Sequence, residues 1–167
     1  YKDARTYYRE FSSQGRRIQI KNMRYVEAMA KGDDERRIKK FRQMVVDQLK
    51  DSQKVIERVG PYNDDAILHR EYLEGLEMYI DAYENLFGKA EELLQDRYAS
   101  IENLEAYYKL ANEAELMALD AAFKIEKAED YFGKTYQVDL RRDTIIQEKM
   151  LRLDEMIVSI REVTMEF

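Results

Sequence analysis

Apolar residues recur at spacings of three and four along nearly the whole chain, a pattern that predicts helices throughout. The longest run lies between about Asp64 and Ala99. There His69, Leu73, Leu76, Ile80, Tyr83, Phe87, Ala90 and Leu94 form one stripe, and Glu71, Glu74, Glu77, Asp81 and Glu84 fall largely beside or opposite it. One face seeks a core and the other stays wet. At about 1.5 Å per residue the run spans roughly 50 Å, the length of a bundle rod.

A first helix is predicted from about Lys2 to Ala30, with Tyr8, Phe11, Ile18, Tyr25 and Met29 near its buried stripe and Gly15 interrupting it. Without a proline to kink the helix there, Gly15 is read as a point of close approach by a neighbour. Gly32-Asp33-Asp34 makes a tight connection whose aspartates can cap the next helix. The second helix turns Ile38, Phe41, Val45, Leu49, Ser52, Ile56 and Val59 inward and stops at Gly60-Pro61, which holds the only proline. So short a turn makes the two helices an antiparallel hairpin. Asn63 or Asp64 is expected to cap the long third helix.

Near Asp96 to Glu102 the stripe loses register, and Ser100 reads as a fresh helix start. Leu104, Tyr108, Ala111, Leu116, Leu119, Phe123 and Phe132 then give a helix to about Tyr136, with Asn112 as a candidate break, and Gln137-Val138-Asp139 a short extended connector. The last segment has the cleanest heptad phase: Ile146, Met150, Leu153, Ile157 and Ile160, with Thr144 and Gln147 placed as a capping box. The expected fold is all-α, an antiparallel up-and-down four-helix bundle over 1–140 with an additional C-terminal helix over 141–167. That helix is apolar enough to require cover, from the bundle or from a partner.

Composition narrows the chemistry. The absence of cysteine excludes disulfides, thiolate catalysis and cysteine-held metals. No apolar run reaches the length of a membrane-spanning helix. The net charge of -6 conceals an asymmetry: +7 up to Gly60, -12 from Pro61 to Leu140 and -1 thereafter. The bundle should have a basic and an acidic side.

The hairpin, the Gly60-Pro61 break followed by Asp64-Asp65 and Tyr72, and the segment Ile101-Glu102-Asn103-Leu104-Glu105-Ala106-Tyr107 leading to Phe123, Phe132 and Tyr136 carry a resemblance in lengths and aromatic placement. Over roughly Ala4 to Leu140 the chain resembles uncharacterised bacterial surface or lipoprotein-type proteins of the leptospiral kind. The resemblance implies an exported four-helix bundle without an established catalytic activity and carries over no functional residues.

Known chemistries of helical bundles do not map onto the sequence. A di-iron site needs Glu-x-x-His steps, and three residues before the single histidine, His69, stands Ala66. A carboxylate-only cluster of Glu71, Glu74, Glu105 and Glu113 is matched by the ordinary reading of solvated helix faces. His69 reads as an end-of-bundle histidine bonded to backbone or water, with a pH switch as its functional alternative. No nucleophile elbow accompanies Ser12, Ser13, Ser52, Ser100 or Ser159. Gly133-Lys134-Thr135 lacks the earlier glycine of a phosphate loop, Ala128 standing in its place. Neither a catalytic residue, a metal nor a cofactor is implied.

Two surfaces remain as candidates. Arg16, Arg17, Arg36, Arg37, Lys39, Lys40 and Arg42 form a basic face suited to a protein partner, unless pairing with the acidic hairpin consumes it. Nucleic acid is not expected, since that acidic hairpin would repel it. Thirteen tyrosines raise a second reading, a small ligand held between helices by Tyr8, Tyr25, Tyr83 and Tyr108, against core-and-rim packing with one ring of each adjacent pair turned inward. The leading expectation is a non-enzymatic, exported or envelope-associated protein acting through a protein partner or self-association. Its address is expected to be periplasmic, outer-membrane-attached or at the cell surface, with the cytoplasm left open; a start at Tyr1 rather than methionine is read as trimming of a precursor.

Overall fold

The computed structural model describes residues 3–94 and 96–140. The expected C-terminal helix, 141–167, lies outside the described residues. Helix α1 covers Ala4–Ala30, α2 Glu35–Val59, α3 Ile67–Ile80, α4 Phe87–Glu92 and α5 Ile101–Tyr136. A π-helical turn, Asp81–Leu86, joins α3 to α4 as one rod, so the described chain forms four rods in a helical bundle.

The helix starts follow from short polar side chains. Asp3, Asp34 and Ser100 accept bonds from the amides of Thr6, Arg37 and Asn103, satisfying donors that a helix start leaves bare. The third rod is entered differently from expectation: Asp65, not Asn63 or Asp64, accepts from the Ile67 amide at 3.0 Å. Asn63 instead takes a left-handed backbone (φ 51°) in a tight turn closed by paired bonds between Tyr62 and Asp65.

Side-chain contacts relate the rods. Tyr7 near the start of α1 donates to the Gly60 carbonyl just past α2. Tyr72 donates to the Phe11 carbonyl, and further along Tyr83 bonds Asn22. Tyr8 reaches Glu129 near the far end of α5 at 2.7 Å. The most extensive helix contacts are those of α1 with α2 and of α3 with α5.

Glycine leaves room for a close neighbour at two places. At Gly75 an added Cβ would lie 2.5 Å from Ile125 Cγ1 and 3.3 Å from the Ala121 carbonyl, so α5 can rest against α3 only where no side chain stands. At Gly15, expected to admit a neighbouring helix, the near neighbour is the end of a side chain, the Tyr72 hydroxyl 3.2 Å from the position of a Cβ.

The core departs from the expected stripes in two places. In the third rod Leu68, Tyr72 and Leu76 are buried before the π turn, and Ala82, Tyr83, Phe87, Ala90 and Leu94 within or after it, while Leu73 and Ile80 are only half-buried. In α5 the buried line is Ala111, Ala114, Ala121, Ala128 and Phe132. Leu116, Leu119 and Phe123, expected inward, are 62, 63 and 68% exposed. The close α3–α5 approach has room for alanines and none for leucines, so the larger side chains occupy the opposite face. α5 runs unbroken through Asn112, and Tyr107 and Tyr108 are both buried, in a small second core with Ala90, Leu94 and Ala111.

Candidate functional site

A groove of about 570 Å³ lies between α1 and α5. Tyr72, Leu76 and Tyr79 of α3 contribute to its lining; α1 contributes Tyr8, Ser12 and Arg16 beside Gly15, and α5 contributes Ala122, Ile125, Glu126 and Glu129. The groove exists because α1 follows α2 while α5 follows α3, which leaves the fourth side of the bundle less filled. The Tyr8–Glu129 bond spans from one wall to the other. Burial, reinforced by Glu129, holds the Tyr72 and Tyr79 hydroxyls well above the ordinary phenol range, so both stay protonated donors.

At the opposite end a second cavity of about 400 Å³ lies among Tyr25, Ile38, Phe87, Glu91, Arg97 and Tyr107. Beside it is the one buried ion pair of the described residues. Arg42 Nε donates to Glu91 Oε1 at 2.9 Å, and both side chains are about nine-tenths covered. Arg42 Nη1 also donates to the Tyr83 carbonyl in the π turn at 3.2 Å, passing beside Gly88, and Tyr25 donates to Glu91 Oε1 at 3.2 Å. Desolvation raises the Glu91 pKa, and the bonds from Arg42 and Tyr25 offset part of that rise.

A third polar cluster closes the end of the bundle near the second connection. Tyr131 and Tyr136 both donate to Asp65 Oδ2, at 3.0 and 2.7 Å. Burial alone would raise the Asp65 carboxyl, but its bonds from the Ile67 amide, Tyr136 and Tyr131 outweigh this and hold it low. The same carboxylate pushes Tyr136 up to about 12, first through the hydrogen bond it accepts.

The residues singled out from sequence fall into different places. Arg16, Arg17, Arg36, Arg37, Lys39 and Lys40 are exposed. Arg37 pairs with Asp33, and Lys39 acts on Glu91 through space; the other four carry no ion pair among the described residues. Arg42 must be removed from this face, because its guanidinium is buried against Glu91. Among the four tyrosines, Tyr8 lines the groove and Tyr25 the second cavity. Tyr83 and Tyr108 are core residues, the first packed among Tyr25, Tyr79 and Phe87, the second against Tyr107. The structure therefore does not gather the four around one ligand site.

Sequence reasoning overlooked Tyr72 and Tyr79 in the groove and the Arg42–Glu91 pair. A signal for the pair existed. Arg42 stands four residues after Ile38 and three before Val45, and Glu91 four after Phe87 and three before Leu94, both in phase with the buried stripe.

Other candidates resolve into ordinary roles. His69 Nε2 lies 3.0 Å from the Ile56 carbonyl, so that nitrogen carries a proton and ties α3 to α2. Glu71 and Glu74 both hold Lys124 Nζ at 2.9 Å. Among the described residues no three His, Asp or Glu side chains are grouped to hold a metal ion, and no helix is long and apolar enough to cross a membrane. No family model, curated protein or solved structure matches the chain.

Proposed function

We propose that this chain is a non-enzymatic interaction protein, an antiparallel up-and-down bundle with an additional C-terminal helix, whose basic α1–α2 face meets an acidic surface on a protein partner. The observation that carries the reading is the exposed set Arg16, Arg17, Arg36 and Lys40, which carries no ion pair among the described residues. If the two halves of the bundle neutralised one another, these cations would be consumed by the acidic rods. Instead, among the described residues, the ion pairs that join the halves are Arg42–Glu91 and Lys50–Glu84. The up-and-down order is supported by the contacts of Tyr7, Tyr8, Tyr72 and Tyr83 along the rods. An exported or envelope-associated setting rests on the resemblance to bacterial surface proteins, and it directs where to look for the partner.

The test uses the full chain as bait on an envelope fraction, beside an R17E/R36E/K40E variant. All three positions are exposed, so the variant should keep its melting temperature. A defined partner retained by the wild type and lost by the variant is expected; partners indifferent to the substitutions would refute the reading.

A second reading, a small-ligand or sensing bundle, is favoured by the tyrosine-lined groove. Its substituted test is Ala122→Trp, which fills the groove from the α5 wall. A compound that raises the melting temperature of the wild type and not of the variant would select it.

A further inference from the structure

We propose that the cavity among Tyr25, Phe87, Glu91 and Tyr107 binds a small organic cation, a protonated amine carried on a flat apolar ring. The cavity shares no lining residue with the groove between α1 and α5 and uses none of the exposed cations of the basic face, so the inference goes beyond both readings of the function.

Shape comes first. The cavity holds about 400 Å³, within the range of about 300–1,000 Å³ typical of small-molecule sites. Its walls come from side chains that are themselves buried: Tyr25, Ile38, Phe87, Leu94 and Tyr107. The Tyr25 and Phe87 rings meet edge to face, with centroids 5.7 Å apart and planes at 81°, and make a rigid aromatic corner. A flat apolar ring leaves water by lying in that corner.

The charges then select what the ring carries. Glu91 is about nine-tenths covered. Its Oε1 already accepts from Arg42 Nε at 2.9 Å and from Tyr25 at 3.2 Å, while Oε2 accepts no bond from the described residues. A covered acceptor without a donor is costly, so a guest that brings an N–H gains where a bare hydrocarbon would not. An anion would be set against the same carboxylate. Asp33, Asp34 and Glu35 line the cavity with Glu91, and Arg97 is the one cation there among the described residues. Even with Arg37 counted against Asp33 and Arg42 against Glu91, the balance stays negative. The ends of α1 and α4 border the cavity as well as the start of α2, so helix dipoles do not tip it toward an anion. Glu91 also borders a neighbouring hollow of about 410 Å³, but Lys39, Arg42 and Lys89 line that one and would repel a cation.

Arg97 supplies the third observation. Its guanidinium stands 4.6 Å from the Tyr98 ring centroid and 5.8 Å from that of Tyr107, so one wall of the cavity already holds a cation by an aromatic face. An amine on a ring fits the whole set, the ring against Tyr25 and Phe87 and the ammonium donating to Glu91 Oε2.

Benzylamine, benzyl alcohol and benzoate share one ring and differ in the group it carries. Each is titrated at millimolar concentration into the full chain, and binding is read from the resonances of Met29, Phe87 and Tyr107 and from the melting temperature. Benzylamine is expected to shift these resonances and raise the melting temperature, benzyl alcohol to bind several-fold more weakly, and benzoate not to bind. Asp34→Asn/Glu35→Gln removes two charges at exposed positions and keeps a capping side chain, so it should fold as the wild type does and weaken benzylamine several-fold. Met29→Trp, which fills the cavity from the α1 wall, should abolish binding. Silence toward benzylamine, equal responses to all three probes, or benzylamine affinity unchanged in both variants overturns the proposal. The R17E/R36E/K40E and Ala122→Trp proteins should still bind benzylamine, so failure of this inference is distinguishable from failure of the partner and groove readings. Loss of benzylamine binding in either would place it on the basic face or in the groove, which would also overturn it.

Discussion

Replacing Gly75 by alanine tests the closest contact in the bundle. In an unobstructed helix the change stabilises by about 1 kcal/mol, because alanine loses less backbone freedom on folding. At Gly75 the new methyl would stand 2.5 Å from Ile125 Cγ1 and 2.8 Å from Cδ1, with the Ala121 carbonyl at 3.3 Å behind them. A β-branched side chain has few rotamers in a helix, so Ile125 cannot simply swing away. Either it leaves its well or α5 shifts off α3, an overpacking cost of about 1–3 kcal/mol. The net expectation is a loss of up to about 2 kcal/mol, or a melting temperature lower by up to roughly 8 °C at about 2–4 °C per kcal/mol for a domain this long. Gly88→Ala supplies the control, since its nearest neighbours, atoms of the Arg42 guanidinium, lie 3.4 Å and more from the new Cβ. That substitution should stabilise by up to about 1 kcal/mol. In an Ile125→Ala background, Gly75→Ala should cost less than in the wild type, because the two nearest obstructing atoms are gone and only the Ala121 carbonyl at 3.3 Å remains. Thermal unfolding of these variants by circular dichroism decides the matter. A Gly75→Ala protein more stable than wild type, like Gly88→Ala, would refute the close approach.

Arg42→Ala should cost about 3–5 kcal/mol by leaving the Glu91 carboxylate buried without its cation, and Arg42→Met/Glu91→Leu should recover most of the loss. Glu91 already has a raised pKa, and removing Arg42 raises it further. A raised acid contributes most below its ordinary range and loses that contribution as pH climbs through the folded value. The Arg42→Ala deficit, measured by urea unfolding, should therefore shrink as pH falls through that raised value, and a constant deficit would contradict the assignment. Asp65 behaves oppositely: its pKa is lowered, so its stabilisation is present above about pH 4 and disappears as pH falls through the lowered value. The gap in melting temperature between wild type and Asp65→Ala should accordingly close in acid, and a gap that widened would show the cluster had been misread. Tyr8→Phe removes the bond across the groove to Glu129 while keeping the ring against Phe132. A small loss of stability with the α1 amides exchanging faster near residue 8 is expected, and unchanged exchange would mean that the bond does not hold the groove's walls.

The rods were readable where a few residues impose local geometry. Asp34 and Ser100 announce helix starts, Gly60-Pro61 a stop, and steps of three and four the helices between. Positions decided by the neighbour were not. A stripe of Leu116, Leu119 and Phe123 looks the same in sequence whether it faces the core or the outside. What turned it outward is the α3–α5 approach at Gly75, which favours the less conspicuous alanines. The π turn leaves no mark in the hydropathy, yet it divides the third rod between two buried segments. Arg42 and Glu91 were hidden by their charge, since on sequence grounds both belong to solvated faces, and only their shared phase with the apolar stripe betrays them. The groove depends on the lateral spacing of α1 and α5, which no single helix encodes, so Tyr8 was seen as a candidate while Tyr72 and Tyr79 were not.

The salt dependence of affinity between the full chain and the partner captured on its basic face tests that face most directly. Exposed cations meeting an acidic surface are screened as salt rises. Binding should weaken steadily with ionic strength, and an R17E/R36E/K40E protein should bind far more weakly at low salt with most of that dependence gone. Affinity indifferent to salt, or a variant with the wild-type affinity and slope, would contradict it.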